Sequence, residues 1–185
     1  MPLGSAEALA LAGMMGSGKS TVARRLGRLL GRPVVSTDAL VEALAGKPVA
    51  RIFAEDGEPA FRALERQVVG ELRGPVVVDL GGGAFCDAES ASRLLSVARV
   101  VFLDVSAAEA ARRLGAGEPA SAAIEARPLA PRWAELRERR LSLYRRAQLT
   151  VETDGLSAEG VARRIHDLVA RAPRPGGADL QGGLG

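Results

Sequence analysis

The residues from Gly13 to Ser20 read GMMGSGKS, a G-x-x-x-x-G-K-[ST] spacing in which each residue type has a task at a phosphate chain. The glycines let backbone N–H groups converge on phosphate oxygens, Lys19 reaches the β- and γ-phosphates, and the Ser20 hydroxyl is a ligand for magnesium. A helix opening at this point adds the positive potential of its N-terminus. Gly16, Ser17, Gly18, Lys19, Ser20 and Thr21 are therefore the candidate ATP-binding residues, with Lys19 also catalytic. The alternative, a Gly-rich turn without a ligand, fits the flanks poorly. An apolar run from Ala8 to Ala12 precedes the motif and the stripe Val22, Leu26, Leu29, Leu30 follows it, which is the strand-loop-helix context that phosphate binding requires.

The elements that must hold this loop can be read from the same periodicities. Short apolar runs recur at Ala8 to Ala12, Pro33 to Val35, Val76 to Leu80, Val100 to Leu103 and Leu149 to Val151, each a candidate buried strand. Between them lie helical stripes, among them Phe61, Leu64, Val68, Leu72 with Pro59 near the start, and Val161, Ile165, Leu168, Val169. Strands alternating with helices predict βαβ units, hence an α/β protein with a mostly parallel five-stranded sheet between two helical layers. One domain is expected over 1–171, followed by a Gly/Pro-rich tail over 172–185 that reads as disordered. The Gly-, Ala- and Pro-rich stretch over about 115–131 is either a plain connector or a mobile lid, and a loop of this length favours the lid.

Composition removes several classes of function. With 185 residues, 47% of them hydrophobic and 25% charged, the chain has ample material for a core. No apolar run is long enough to span a membrane, and no basic segment followed by an apolar one opens the chain, so a cytoplasmic protein is expected. The single cysteine, Cys86, cannot form an internal disulfide, and no Cys/His cluster suggests zinc. A net charge of +3 is weak support for nucleic acid when only 3% of residues are aromatic, so no nucleic-acid partner is expected. Trp133, His166 and Cys86 read as a helix-packing aromatic, an exposed helix residue and a small apolar residue beside a glycine turn.

Four further motifs follow the phosphate loop in order. They are Ser36-Thr37-Asp38 after the second strand, DGEPAFR over Asp56 to Arg62, Gly81-Gly82-Gly83 after an apolar strand, and RLSLY over Arg140 to Tyr144. With the phosphate loop, this series resembles the shikimate kinase family from about Ala8 to Arg171. There the corresponding motifs are D-x-D, E-G-E-x-x-F-R, the glycine triplet and R-x-P-L-Y. The resemblance implies a P-loop kinase that moves the ATP γ-phosphate to the 3-hydroxyl of shikimate with Mg²⁺. It also implies small-molecule substrates only and a monomer as the expected state.

On this resemblance Asp38 binds and activates the acceptor hydroxyl, a task suited to a carboxylate that orients and deprotonates it. Arg62 and Arg140, planar forks matched to a carboxylate, hold the substrate's acid with Gly81, Gly82 and Gly83. Arg113 stacks on adenine, with Arg112 a one-residue alternative, and Arg127 of the RPLA stretch closes onto the transferred phosphoryl group as a catalytic and ATP-binding residue. The local alternative for Asp38 is a helix N-cap, and for the arginines solvated helix charge. Ser36 stands where the family carries an acid near the metal. Asp79, closing the strand Val76 to Leu80 where many P-loop enzymes place a magnesium-binding Asp, is assigned that metal role with Ser20; the alternative is an acid satisfied by nearby backbone donors. Two rival readings stay open: a kinase for another small hydroxylated substrate such as gluconate, and a relative that binds ATP but has lost turnover.

Overall fold

A computed structural model describes residues 7–115 and 129–171 of the chain. Five strands form one sheet: β1 (Ala8–Ala12), β2 (Val34–Ser36), β3 (Val77–Asp79), β4 (Ala98–Asp104) and β5 (Leu149–Glu152). Their order is β2-β3-β1-β4-β5, and all neighbouring pairs are parallel. Parallel strands need helical crossovers, and these cover both faces. The helices are α1 (Lys19–Leu30), α2 (Thr37–Ala45), α3 (Val49–Glu55), α4 (Gly57–Glu71), α5 (Ala88–Val97), α6 (Ala107–Gly115), α7 (Leu129–Tyr144) and α8 (Ala158–Arg171).

The alternation of side chains along a strand divides the core in two. Leu9, Leu11, Val77, Val101, Leu103 and Val151 face α1 and α8, meeting Val22, Leu26, Val161 and Ile165. The alternate set, including Ala10, Val78, Val100 and Phe102, packs under α4, α5 and α7 with Val69, Leu94, Trp133 and Tyr144. Full burial of one such Leu, Ile or Val contributes about 1.5–3 kcal/mol, and the strands whose ends carry the site are lined by such residues. A third cluster of Val41, Ile52, Phe61 and Val68 joins α2, α3 and α4 beside the sheet.

The α/β class and the five parallel strands agree with the sequence reading, while several boundaries move for identifiable reasons. Pro33 has no N–H to donate, so β2 begins at Val34, although the Pro33 carbonyl accepts the Val77 N–H at 2.9 Å. β4 begins at Ala98, earlier than the apolar run, because Arg99 is tolerated inside it at 3% exposure with the Glu7 carboxylate 3.6 Å away. The short helices α2 and α3 were not legible as stripes. Among the described residues no helix is long and apolar enough to cross a membrane. The expected tail over 172–185 and all but the margins of the expected lid lie outside the described residues.

Candidate active site

The loop between β1 and α1 turns into the helix at Gly18, whose φ of 82° puts the helix N-cap in the left-handed region that glycine adopts without strain. Each carbonyl from Gly13 to Ser17 accepts a hydrogen bond from a side chain. Lys19 Nζ donates to the Gly13 and Met14 oxygens at 2.9 and 3.1 Å. The Trp133 indole N–H donates to Met15 O at 3.1 Å. Arg113 Nη1 donates to Gly16 O and Ser17 O at 3.3 and 3.2 Å. Holding the loop's acceptors on protein donors turns its electronegative side away from the space where phosphates must lie. The Ser17 hydroxyl is buried at 1% exposure without a hydrogen-bond partner among the described residues.

Arg113 is itself fixed on three sides, by Glu109 Oε1 at 2.8 Å and by the hydroxyl and carbonyl of Thr153 at 3.2 and 2.7 Å. Arg112 points elsewhere, its guanidinium two-thirds exposed on Glu109. The geometry thus selects Arg113 of the two candidates as the residue at the phosphate loop. The hydrogen bond from Arg112, followed by that from Arg113, pulls the Glu109 carboxyl down to about 2.

A second group of residues meets at the glycine turn after β3. Asp38 lies in the first turn of α2, and Ser36, not Asp38, caps that helix by accepting the Ala39 N–H at 3.4 Å. The capping alternative for Asp38 is therefore removed. A Cβ on Gly81 would overlap Asp38 Oδ1, and one on Gly83 would overlap the Arg62 guanidinium, so the turn must be bare for these groups to approach it. Arg140 Nη1 and the Tyr144 hydroxyl both donate to Gly82 O, at 2.8 and 2.5 Å. Thr37 Oγ1 accepts the Gly81 N–H at 2.8 Å. Arg62 is gripped by Glu65 at 2.5 Å and Glu58 at 3.0 Å and lies 5.3 Å from the Phe61 ring centre.

Electrostatics joins the two groups. Burial holds the Lys19 ammonium below its ordinary value, against the pull of Asp79 and Asp38 and with help from Arg140. Burial first, then repulsion from Asp79, holds the Asp38 carboxyl above the usual carboxylate range, while Lys19 and Arg62 oppose the rise. Burial likewise raises Glu65, outweighing Arg62. Asp79, Asp38 and Arg140 thus act on Lys19, and Asp79, Lys19 and Arg62 on Asp38, which groups these residues beyond the C-terminal ends of β1, β2 and β3, the end at which open parallel sheets bind ligands.

Of the residues expected from the sequence, the phosphate-loop set, Asp38, Asp79, Arg62, the glycine triplet, Arg113 and Arg140 come together here. Arg127 lies outside the described residues. Asp79 closes β3 beside β1, and no hydrogen bond or ion pair holds its carboxylate among the described residues, contrary to the reading of an acid satisfied by backbone donors. The Ser20 hydroxyl and the Asp79 carboxylate are hard oxygen donors of the kind magnesium takes alongside substrate phosphates, so the donor set fits that ion.

Some functional candidates were not foreseen. Glu65, buried at 1% exposure, sits three residues after Arg62 on one helix face, a spacing that could have flagged it. Tyr144 was inside a quoted motif without a role. Trp133, expected only to pack, is buried but also donates to the phosphate loop, and neither it nor Thr153 carried any sequence signal.

A parallel α/β sheet with a G-x-x-x-x-G-K-S loop at its β1–α1 corner, and with Asp38, Arg62 and Arg140 gathered at the neighbouring glycine turn, defines the P-loop kinase fold. A shikimate kinase family profile matches residues 15–170. Shikimate kinase from Thermobifida fusca is 46% identical over 158 residues, covering 84% of this chain and 90% of that protein. The enzyme from Rhodococcus jostii is 40% identical over 170 residues, covering 87% and 95%. The solved structure of Acinetobacter baumannii shikimate kinase in complex with shikimate superposes with a TM-score of 0.81 at 31% identity, covering 88% of this chain and 92% of that one. The chain belongs to the shikimate kinase family, and it is an ATP-dependent kinase.

Proposed function

We propose that this protein transfers the γ-phosphoryl group of ATP to the 3-hydroxyl of shikimate, yielding shikimate 3-phosphate and ADP on the route to aromatic amino acids. The observation that carries the residue assignments is the meeting of Asp38, Arg62 and Arg140 at the Gly81–Gly83 turn, within electrostatic reach of Lys19. The guanidinium groups of Arg62 and Arg140 bind the substrate carboxylate as fork donors and thereby fix the ring. Asp38, its basicity raised by burial, accepts the hydroxyl proton as the oxygen bonds to phosphorus and the bond to the β,γ-bridging oxygen breaks.

The phosphate loop binds the triphosphate through its N–H groups, and Lys19 exchanges the Gly13 and Met14 carbonyls for phosphate oxygens. Arg113 supports the nucleotide side and is the residue we place against adenine. Arg127 is assigned to the transferring phosphoryl group on the family resemblance alone. Ser20 and Asp79 would hold Mg²⁺, which supplies charge neutralisation on the phosphates when bound. A monomer is proposed on the family resemblance alone, and a lone cysteine suits the cytoplasm.

An ADP-release assay with Mg²⁺ and ATP tests the reading against its rivals, offering shikimate, gluconate, a nucleoside monophosphate or no acceptor. Turnover only with shikimate is expected. Turnover with gluconate would transfer the site to another acceptor, and ATP binding without turnover on any of them would mark a binding protein.

A further inference from the structure

The motif that ends α7 carries a side chain to which the mechanism gives no task. Tyr144, the only tyrosine of the chain, closes the helix fully buried. Its ring stacks on Phe102 of β4, with centroids 5.0 Å apart and planes 8° from parallel. Held in this way, its hydroxyl donates to Gly82 O, which Arg140 Nη1 reaches from one turn earlier in the same helix. Burial, and after it the neighbouring Cys86 thiol, raise the phenol well above its ordinary value, so the hydroxyl keeps the proton it donates.

The glycine turn is closed on its acceptor side and open on its donor side. Gly81 O takes the Ala84 N–H at 3.1 Å, Gly83 O takes the Cys86 N–H at 2.9 Å, and Gly82 O takes the two donors from α7. The Gly81 N–H is held by Thr37 Oγ1. The N–H groups of Gly82 and Gly83 have no acceptor among the described residues. In a planar trans peptide the C=O and the N–H point in opposite directions. Fixing Gly82 O on α7 therefore turns the Gly83 N–H away from α7 and leaves it open to an oxygen of a ligand.

We propose that Tyr144 is a positioning residue for the acceptor, its hydroxyl fixing the Gly82–Gly83 peptide so that the Gly83 N–H is presented to an acceptor oxygen. The second donor on Gly82 O makes the need for the hydroxyl plain. Without it Arg140 alone would hold that carbonyl, and Arg140 is the guanidinium assigned to the substrate's carboxylate, so the two oxygens would compete for one fork.

The proposal rests on the acceptor reading above, and its test can fail separately from it. Steady-state kinetics compares Tyr144→Phe, which keeps the ring and deletes the donor, with Leu94→Ala, a cavity made in the same core cluster but outside the site. Tyr144→Phe is expected to raise the shikimate KM about fivefold, the scale of one hydrogen bond, with kcat and the ATP KM within about twofold. Leu94→Ala is at least as destabilising and should leave the shikimate KM unchanged. An unchanged shikimate KM in Tyr144→Phe, or an equal rise in Leu94→Ala, would overturn the proposal. Fluorotyrosine supplied during expression labels Tyr144 alone and retains its hydroxyl, so a second measurement does not depend on the folding of the phenylalanine variant. The single ¹⁹F resonance is expected to move when shikimate is added and to stay in place with ADP. A resonance that shikimate leaves in place would also overturn the proposal. Absence of shikimate turnover by the unaltered protein would refute the acceptor reading itself, whereas normal turnover with any of the overturning results removes only the role of Tyr144.

Discussion

In the proposed mechanism the chemistry turns on Asp38, whose basicity burial and repulsion from Asp79 raise against the opposing pull of Lys19 and Arg62. Asp38→Asn is expected to lower kcat by about 10²–10⁴, the contribution of a positioned general base, with little change in ATP affinity. Its base form predominates only above its raised pKa. Activity should therefore fall on the acid side in a limb lying above the ordinary aspartate value of 3.8, and kcat/KM unaffected down to that value would contradict the role. Arg62 works through its setting as much as its charge, since buried Glu65 grips it at 2.5 Å. Glu65→Gln should raise the shikimate KM about tenfold, equivalent to ~1.4 kcal/mol, and change kcat less. Steady-state kinetics separates the two effects.

At the scale of elements, the β3 turn and α7 are what bring the two halves of the site together. The three atoms nearest a methyl group on Gly83 all belong to the side-chain end of Arg62, whereas one on Gly82 comes no nearer than 3.8 Å to Arg140. Gly83→Ala should therefore leave the melting temperature within a few degrees, a change below about 1 kcal/mol, yet raise the shikimate KM well beyond the effect of Gly82→Ala. Equal effects of the two variants would remove the steric argument. α7 reaches the opposite half through the Trp133 indole N–H on Met15 O. Trp133→Phe keeps the aromatic bulk and deletes the donor, so the ATP KM should rise several-fold, about the 0.5–1.5 kcal/mol of one hydrogen bond, with the shikimate KM nearly unchanged. The phosphate loop was legible because it is a local pattern whose spacing carries its chemistry, while the glycine triplet, Arg62 and Arg140 were singled out through their resemblance to family motifs. Trp133 and Thr153 were not legible, because each acts through a contact that only the packed fold creates, whereas the Arg62–Glu65 pair is an i,i+3 contact within α4. Thr153, for instance, meets Arg113 across forty positions of the chain.

At the scale of the whole molecule, the alternation of strands and stripes sufficed to read an α/β sheet, because parallel strands buried on both faces leave continuous apolar runs. The strand order was beyond it. Placing β3 between β1 and β2 is what sets Asp79 beside both the phosphate loop and Ser36, and no property of the linear sequence states that neighbourhood. The same order puts the phosphate loop and the glycine turn on adjacent strands, which in the proposed mechanism lets one sheet bring donor and acceptor together. The most direct measurement of that claim is ³¹P NMR of the protein with ATP, Mg²⁺ and shikimate. The account predicts a single new phosphomonoester resonance from shikimate 3-phosphate, growing in step with ADP. Inorganic phosphate appearing with ADP in its place, or a spectrum in which ATP persists, would contradict it.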